Sequence, residues 1–568
     1  MHILNGCKKS TEVSNNSNNG NTGSGNNGGG NVTPVDPSVA NTVGFFLNDW
    51  EPKSFSINSY DSVAQPTVTA TSYVSIDASS VITKIPKSIY GQNSNSWMTQ
   101  IVTDAGLLNN INNLHSGVIR FPGGSISDMY FWNQTSSPPS DVPTTLVDAN
   151  GNTISNPMYW FGKNTGSWTI SIDNYYNLLQ QTGNSGMITV NYGYARYGTS
   201  SNPVTQAAHL AADWVRYDNG RTKYWEIGNE CNGTWEAGYR INTSTNKDGQ
   251  PEIVTGALYA QHAKVFIDSM RKAANEIGKT IYIGAYILES QPQGWQTATD
   301  QSWNQGVFTN INNASDYYIV HSYYTPYQTN SSASAILDSA SSNTKRIMDY
   351  VKSNMSLNGA VVKPIALTEW NINAEGSKQK VSFVSGKFAT ILLAEAIKDN
   401  YGETSRWDLA NAWENGNDHG LFNIGDEPGV TKWNPRPSFY YMYFMQKMMG
   451  DRMLSSNIQA GGIMAYASSF SSGQKAVVLI NKTTYNETVN VTVKNAEVGS
   501  RFYYYTLSGG TDNGEFSQQV FVNGNGPTES TGGPSSNYTT IKPYAATTTG
   551  GIKVSVPPRS VVYMVIDK

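Results

Sequence analysis

Lys223-Tyr224-Trp225-Glu226-Ile227-Gly228-Asn229-Glu230 reads as a short, apolar-flanked strand that delivers an Asn-Glu pair to its C-terminal end. A second apolar run, Lys363-Pro364-Ile365-Ala366-Leu367-Thr368-Glu369-Trp370-Asn371, also finishes on a carboxylate, Glu369. An ionised acid is costly to desolvate, so a glutamate closing a hydrophobic strand needs either a partner or a chemical reason to be there. Glu226, four residues before Glu230, faces the same side of its strand. It sits deeper, which marks it as a supporting acid rather than the reacting one.

Outward from these two runs, strands alternate with amphipathic helices over residues 86–449, the grammar of βα units. Eight strands are predicted, over 88–91, 117–121, 187–191, 224–230, 280–284, 317–321, 364–369 and 407–413. Helices are predicted over 205–217, 257–276, 334–353, 380–398 and 438–449. The first has a threonine N-cap and carries Ala207, Leu210, Ala211 and Trp214 on one face. The fold class is therefore α/β, a closed (β/α)8 barrel, in which the active site is built at the C-terminal strand ends. Glu230 and Glu369 end strands four and seven.

The flanks follow another grammar. Residues 41–85 alternate without helices, and 450–568 return to strands such as Ala476-Val477-Val478-Leu479-Ile480 and Val561-Val562-Tyr563-Met564-Val565-Ile566. This predicts a C-terminal antiparallel β-sandwich domain joined by the N-terminal strands, which are too few to stand alone. Residues 1–40 are read as a tail, because Ser14 to Asn31 is almost wholly Asn, Gly and Ser and behaves as a flexible spacer. Leu4-Asn5-Gly6-Cys7 resembles the end of a bacterial lipobox. The expectation is a start placed too late, Cys7 as lipid anchor, and an exported protein, either an outer-membrane or cell-surface lipoprotein or a secreted one. A fortuitous Leu-x-Gly-Cys is the other reading. No apolar run is long enough to span a bilayer.

At 568 residues the chain has room for more than one core. Lys and Arg number 38 against 42 Asp and Glu, a net charge of −4, and only 14% of residues are charged. No basic field exists to attract nucleic acid, and no protein partner is predicted. Tyr, Trp, Asn, Ser, Thr and Gly fill the gap. Flat aromatic faces and neutral hydrogen-bonding groups suit an uncharged, polyhydroxylated ligand such as a glycan, although many extracellular proteins share this composition. The two cysteines, Cys7 and Cys231, make no disulfide framework. Cys231 reads as a small buried side chain, since no histidine base is suggested beside it.

Trp225-Glu226-Ile227-Gly228-Asn229-Glu230, Arg120-Phe121-Pro122-Gly123-Gly124 and Thr368-Glu369-Trp370-Asn371, in their barrel context, together resemble clan A glycoside hydrolases. The nearest likeness is to the group of families 51, 39, 44 and 79, whose members include α-L-arabinofuranosidases, β-xylosidases, endoglucanases and glucuronidases. Residues 207–219 (AAHLAADWVRYDN) and Val556-Pro557-Pro558-Arg559-Ser560-Val561 add to it, and the resemblance covers residues 85–568. It implies a retaining double displacement with Glu230 as general acid/base and Glu369 as nucleophile, two carboxyl groups about 5–5.5 Å apart. It further implies Glu230 protonated and Glu369 ionised at rest. Arg120 is implied to support the nucleophile, and Asn229 to reach the sugar 2-hydroxyl. His321 and Tyr323, closing strand six, are implied to touch the nucleophile or the sugar, and Trp413, ending strand eight, to stack on a sugar. A packing role for His321 or Trp413, and a structural ion pair for Arg120, stay open.

Glu414, Asp418 and His419 match no metal motif and read as substrate contacts or a solvated loop; no metal and no cofactor is predicted. Gly123-Gly124 lacks a phosphate-loop context and reads as a tight turn. The function expected is endo-acting, retaining hydrolysis of a plant or algal polysaccharide. The alternatives are an exo-acting α-L-arabinofuranosidase and, in another class, a non-catalytic surface glycan-binding protein. Sugar and linkage preference is expected to reside in loops 132–169 and 286–303.

Overall fold

The computed structural model describes residues 34–510 and 514–568; Cys7, the expected lipid anchor, and the Asn/Gly/Ser run lie outside the described residues. Eight parallel strands close into a barrel: β1 (Gly91–Asn93), β2 (Val118–Phe121), β3 (Ser185–Val190), β4 (Thr222–Ile227), β5 (Tyr282–Tyr286), β6 (Tyr317–Tyr323), β7 (Ile365–Asn371) and β8 (Glu403–Arg406). Around them run α1 (Ala105–Leu114), α2 (Ile172–Thr182), α3 (Pro203–Asp218), α4 (Gly256–Glu276), α5 (Ala298–Asn310), α6 (Ala333–Leu357), α7 (Phe383–Lys398) and α8 (Pro437–Met448). Parallel strands under a helical ring are buried on both faces, which is why β4 and β7 carry near-continuous apolar runs.

Two predicted strands are corrected. Residues 88–90 belong to a 3-10 turn, Lys87–Tyr90, and β1 starts after it at Gly91. The eighth strand is Glu403–Arg406, not 407–413. All four of its residues are buried and polar. Each residue has at least one partner inside: Glu403 takes the Ser405 hydroxyl, Thr404 Oγ1 donates to Ile89 O at 2.7 Å, and Arg406 Nη1 donates to His419 O at 2.8 Å. Such a strand tolerates burial yet has no hydrophobic signature.

Outside the barrel lies one eleven-stranded, mainly antiparallel sheet. The N-terminal strand Ser72–Lys84 joins it, antiparallel to Arg452–Gln459 and parallel to Glu487–Lys494. One sheet face closes its own core with Val74, Ile76, Val477, Leu479, Val562 and Met564. The other, with Val478, Ile480, Val561, Tyr563 and Val565, belongs to the barrel's core. Tyr563 fixes the junction, its hydroxyl donating to Tyr441 O of α8 at 3.0 Å. Double-sided burial accounts for the unbroken apolar runs of these two strands. Nearer the N-terminus, Gly44–Leu47 is a 3-10 turn rather than strand, and Phe46 fills the barrel's N-terminal end against Tyr224 and Tyr317.

Candidate active site

β4 stops at Ile227 because the chain turns at Gly228, φ +70°. An added Cβ there would lie 2.4 Å from Cys231 Sγ and 2.6 Å from Tyr192 Cβ, so no other residue fits. The turn is tied down by Asp128, whose carboxylate accepts from the backbone N–H groups of Tyr192, Gly193 and Asn229 at 3.0, 3.1 and 3.1 Å. Burial first, against these three bonds, holds Asp128 up at about 7. Glu230 follows at φ +38°, a region that costs a non-glycine residue about 1–2 kcal/mol and that is found where a side chain must be aimed. Cys231 is buried and its thiol is pushed well up by burial, a space-filling rather than a reactive group.

On the other side of the mouth, the register between β6 and β7 shifts between Val320 and His321. Val320 pairs with Leu367, but His321 pairs with Glu369, so Thr368 is skipped. Irregularities of this kind re-aim a side chain beside a site. Here the shift sets His321 against both acids. Its Nδ1 is 3.0 Å from Glu230 Oε1 and 3.8 Å from Glu369 Oε2, while Nε2 meets Thr368 Oγ1 at 3.0 Å. One ligand-type atom each from Glu230, His321 and Glu369 lies within 4.8 Å of the others, the only cluster of metal-ligand spacing among the described residues. The positive charge beside it is Arg120, whose Nη1 donates to Glu369 Oε1 at 2.8 Å.

Arg120 is completely buried and every arm of its guanidinium is engaged. Nε pairs with Glu226 Oε2 at 2.6 Å, Nη1 also reaches Asn93 Oδ1 at 2.9 Å, and Nη2 reaches Asn229 Oδ1 at 2.9 Å. The planar fork therefore fixes four side chains from β1, β4, the turn after β4, and β7 in one plane of contacts. Asn229 Nδ2 donates to Glu236 Oε1 at 2.9 Å, and Ser125 Oγ donates to the same oxygen at 2.8 Å. Burial, then the charges of Asp128 and Glu230, hold Glu236 well above the usual carboxyl range. Tyr323 OH donates to Glu369 Oε2 at 3.2 Å. Trp235, five residues past Glu230 and 63% exposed, donates its indole N–H to Glu230 Oε2 at 3.0 Å.

Burial works to raise the Glu230 carboxyl, but the His321 hydrogen bond and charge, with Trp235, outweigh it and bring the group below its usual value. Glu369 is held above its usual value, by burial first and by the Glu230 charge, against His321 and Arg120. His321 titrates high because Glu369 and Glu230 overcome its own burial. These directions reverse the expected resting order of the two acids. The physical reason is His321, whose Nδ1 lies 3.0 Å from Glu230 Oε1 and whose hydrogen bond and charge favour the ionised form of that acid.

The structure thus brings Glu230, Glu369, Asn229, Arg120, His321 and Tyr323 together. Among the described residues Trp413 shares no hydrogen bond or ring contact with these six. It lies past the short strand Ala410–Asn411, beside the Arg436 guanidinium at 5.7 Å, because β8 ends seven residues earlier than predicted. The indole that follows β8 is Trp407, which touches Trp97 at 6.1 Å. Asp418 is committed to Arg436 at 2.9 Å, and His419 meets the Tyr323 ring edge-on at 5.6 Å. The sequence reading missed Asp128, Trp235, Glu236 and Thr368. Only Trp235 had a local signal, a tryptophan one turn beyond the Asn-Glu pair.

The closed parallel barrel accompanied by a mainly antiparallel sheet is a fold that this chain shares with solved glycoside hydrolase structures. No family model matches the chain and no curated protein does. Among solved structures it is similar to the α-L-arabinofuranosidase from Thermotoga maritima in complex with arabinose, at TM-score 0.59 and 16% identity over 88% of this chain and 100% of that one. It is likewise similar to the GH51 α-L-arabinofuranosidase from Thermotoga petrophila, at TM-score 0.60 and 16% identity over 87% of this chain and 100% of that one. A xyloglucanase of family 44 from Paenibacillus polymyxa follows at TM-score 0.55 and 12% identity, over 88% and 100%. At these identities the likeness is one of fold.

Proposed function

We propose that the chain is a retaining glycoside hydrolase that cleaves a neutral polysaccharide within the chain, with Glu369 as nucleophile and Glu230 as general acid/base. The observation that carries this reading is the pair itself, two carboxylates from distant segments with oxygens within 4.8 Å of each other at the strand ends. That spacing is shorter than the roughly 6.5–9.5 Å that an inverting pair needs to hold a water beside the sugar, and it suits a covalent glycosyl-enzyme ester. Glu369 attacks the anomeric carbon as Glu230 gives a proton to the departing oxygen; a water activated by Glu230 then releases the sugar and restores the acid. A proton passing from His321 Nδ1 to Glu230 changes no net charge, so the pair supplies one proton whichever atom holds it at rest. Arg120 and Tyr323 hold Glu369 for attack from the buried side. Asn229, with its oxygen committed to Arg120 and one amide hydrogen to Glu236, keeps its second amide hydrogen for a sugar hydroxyl. Export and tethering through Cys7 belong to the same reading, since a polymer is met outside the cell.

Release of reducing sugar from arabinan, xylan, xyloglucan and β-glucan tests the proposal, and the length of the products separates internal cleavage from removal of terminal arabinose. In Glu230→Gln, a substrate with a poor leaving group is expected to lose on the order of 10²–10⁴-fold in kcat/KM, the worth of general acid catalysis. An activated aryl glycoside should lose far less, and equal losses would remove Glu230 from the acid role. The pH dependence of kcat/KM is expected to be a bell. Its acid limb lies above the 4.5 of an ordinary glutamate, as Glu369 gains its proton, and its alkaline limb above the 6.5 of an ordinary histidine, as the His321–Glu230 pair loses its own. An acid limb below that of a free glutamate would contradict the assignment.

A further inference from the structure

The loop between β2 and α2 builds a second feature on the catalytic face. Within it Tyr130–Phe131 pairs with Trp160–Phe161, and Leu146–Val147 pairs with Thr153–Ile154. Between its turns runs a groove of about 660 Å³, walled by Met158, Trp160, Phe161, Trp168, Ser136 and Asn164 among others, with no charged side chain on its wall. Trp168 is 57% exposed and Met158 68%. The rings of Trp160 and Trp168 meet at 5.6 Å. Large apolar side chains left together in solvent mark a surface that something covers.

The platform is built rather than loose. The Trp168 indole lies over Gly166, where an added Cβ would come within 2.7 Å of its Nε1. Gly166 itself is held from both sides, its N–H by Asn164 Oδ1 at 2.9 Å and its carbonyl by Gln100 Nε2 at 2.8 Å. Thr169 Oγ1 and the Ile170 N–H both donate to Ser96 O, at 2.7 and 3.2 Å. Ser96 follows β1, so these bonds anchor the groove to the rim of the barrel. An ordered aromatic surface gives up little entropy when a ligand lands on it.

The backbone that anchors the groove also leads toward the site. The backbone N–H of Trp407 donates to Trp370 O, one residue past Glu369, at 3.2 Å. Trp407 touches Trp97, Trp97 Nε1 donates to Ala410 O at 3.0 Å, and Trp97 is the residue after the Ser96 that anchors Thr169. The stretch Ser96-Trp97 thus anchors the groove through Thr169 and packs its indole against Trp407, whose backbone is bonded to the residue after Glu369. We propose that this groove is a distal subsite for the same neutral polysaccharide, gripping sugar units of the chain whose scissile bond lies between Glu230 and Glu369. The assignment of the ligand rests on the hydrolase reading. The chemistry behind it is uncharged aromatic faces with amide and hydroxyl edges, which match the apolar face and hydroxyl rim of a pyranose or furanose, in a groove of about 660 Å³.

The test uses Trp168→Ala and the double variant Trp160→Ala/Trp168→Ala, each also in a Glu369→Ala background. Native gels containing arabinan, xylan, xyloglucan or β-glucan read retardation with no need of turnover. At least one polymer is expected to retard the Glu369→Ala protein, and the double variant should weaken that retardation on the order of tenfold in apparent affinity, the scale of losing a tryptophan anchor. In the active background the ratio of polymer to aryl-glycoside kcat/KM should fall by a similar factor. Equal retardation with and without the two indoles overturns the proposal, as does retardation by none of the four polymers. A concentration-dependent dimer lost in Trp168→Ala would give the groove to a second copy of the chain and overturn it too. If the indoles control retardation while the parent protein cleaves nothing, the subsite stands and the hydrolase reading falls.

Discussion

Glu369→Ala is expected to lower turnover by on the order of 10⁴-fold or more, the usual consequence of removing a nucleophile, while the chain stays folded. Folding should survive because Arg120 keeps Glu226, Asn93 and Asn229 when Glu369 is lost, so no buried charge is stranded. The space vacated lies between Arg120, Tyr323 and His321, all of which donate to or face the missing carboxylate. Azide fits such a space and carries the charge that was removed. With an activated aryl glycoside, azide is expected to restore turnover and to leave a glycosyl azide of inverted configuration, read by NMR of the anomeric proton. An azide of unchanged configuration would mean that a glycosyl-enzyme still forms, and the nucleophile would then be another residue.

How far the sequence reaches into this arrangement depends on whether a residue's role is local. β4 and β7 were legible because burial on both faces forces apolar runs, and an acid ending such a run stands out against them. β8 was not, since Glu403, Thr404, Ser405 and Arg406 are polar residues with internal partners, and the neighbouring stretch Trp407 to Trp413, with Leu409, Ala410 and Ala412 between its two indoles, imitated a strand. The sequence predicts no helix at α5, and the loop expected over 286–303 runs into its first half. Its Thr297–Asp300 capping box was the one signal, and its polar body offers no clean apolar stripe. Within the site, Arg120 and Asn229 could be placed from flanking motifs. Asp128 and Glu236 could not, because what makes them matter is contact across long sequence separations with backbone and side chains of other loops. The skipped Thr368 is of the same kind: a one-residue slip between β6 and β7 is invisible in either strand alone, yet it sets His321 between the acids and with it the order of their titrations.

Arg120→Met should be the most damaging single change to the fold of the site. Methionine matches the volume but leaves Glu226 and Glu369 inside the barrel without a counter-charge, and breaking a buried ion pair from one side costs roughly 3–5 kcal/mol. Asn93 and Asn229 lose a donor as well, so the two side chains that flank the acids are freed together. The loss should depend on pH, and its sign follows from Glu369. Arg120 is one of the groups holding that carboxyl down against burial, so in the variant its folded value rises further above the unfolded one. A carboxyl raised by folding is destabilising once pH passes its unfolded value, and the penalty is complete above its folded value. The stability deficit of Arg120→Met is therefore expected to be largest at mildly alkaline pH and to shrink in acid, where Glu369 enters the fold neutral. Urea denaturation of both proteins across that range measures it. Arg120→Lys should recover only part of the deficit, because an ammonium can stand beside one acid but cannot span Glu226, Asn93, Asn229 and Glu369 at once. A deficit independent of pH, or full recovery by lysine, would mean that the guanidinium serves as packing volume and not as the charge that makes a buried nucleophile tolerable.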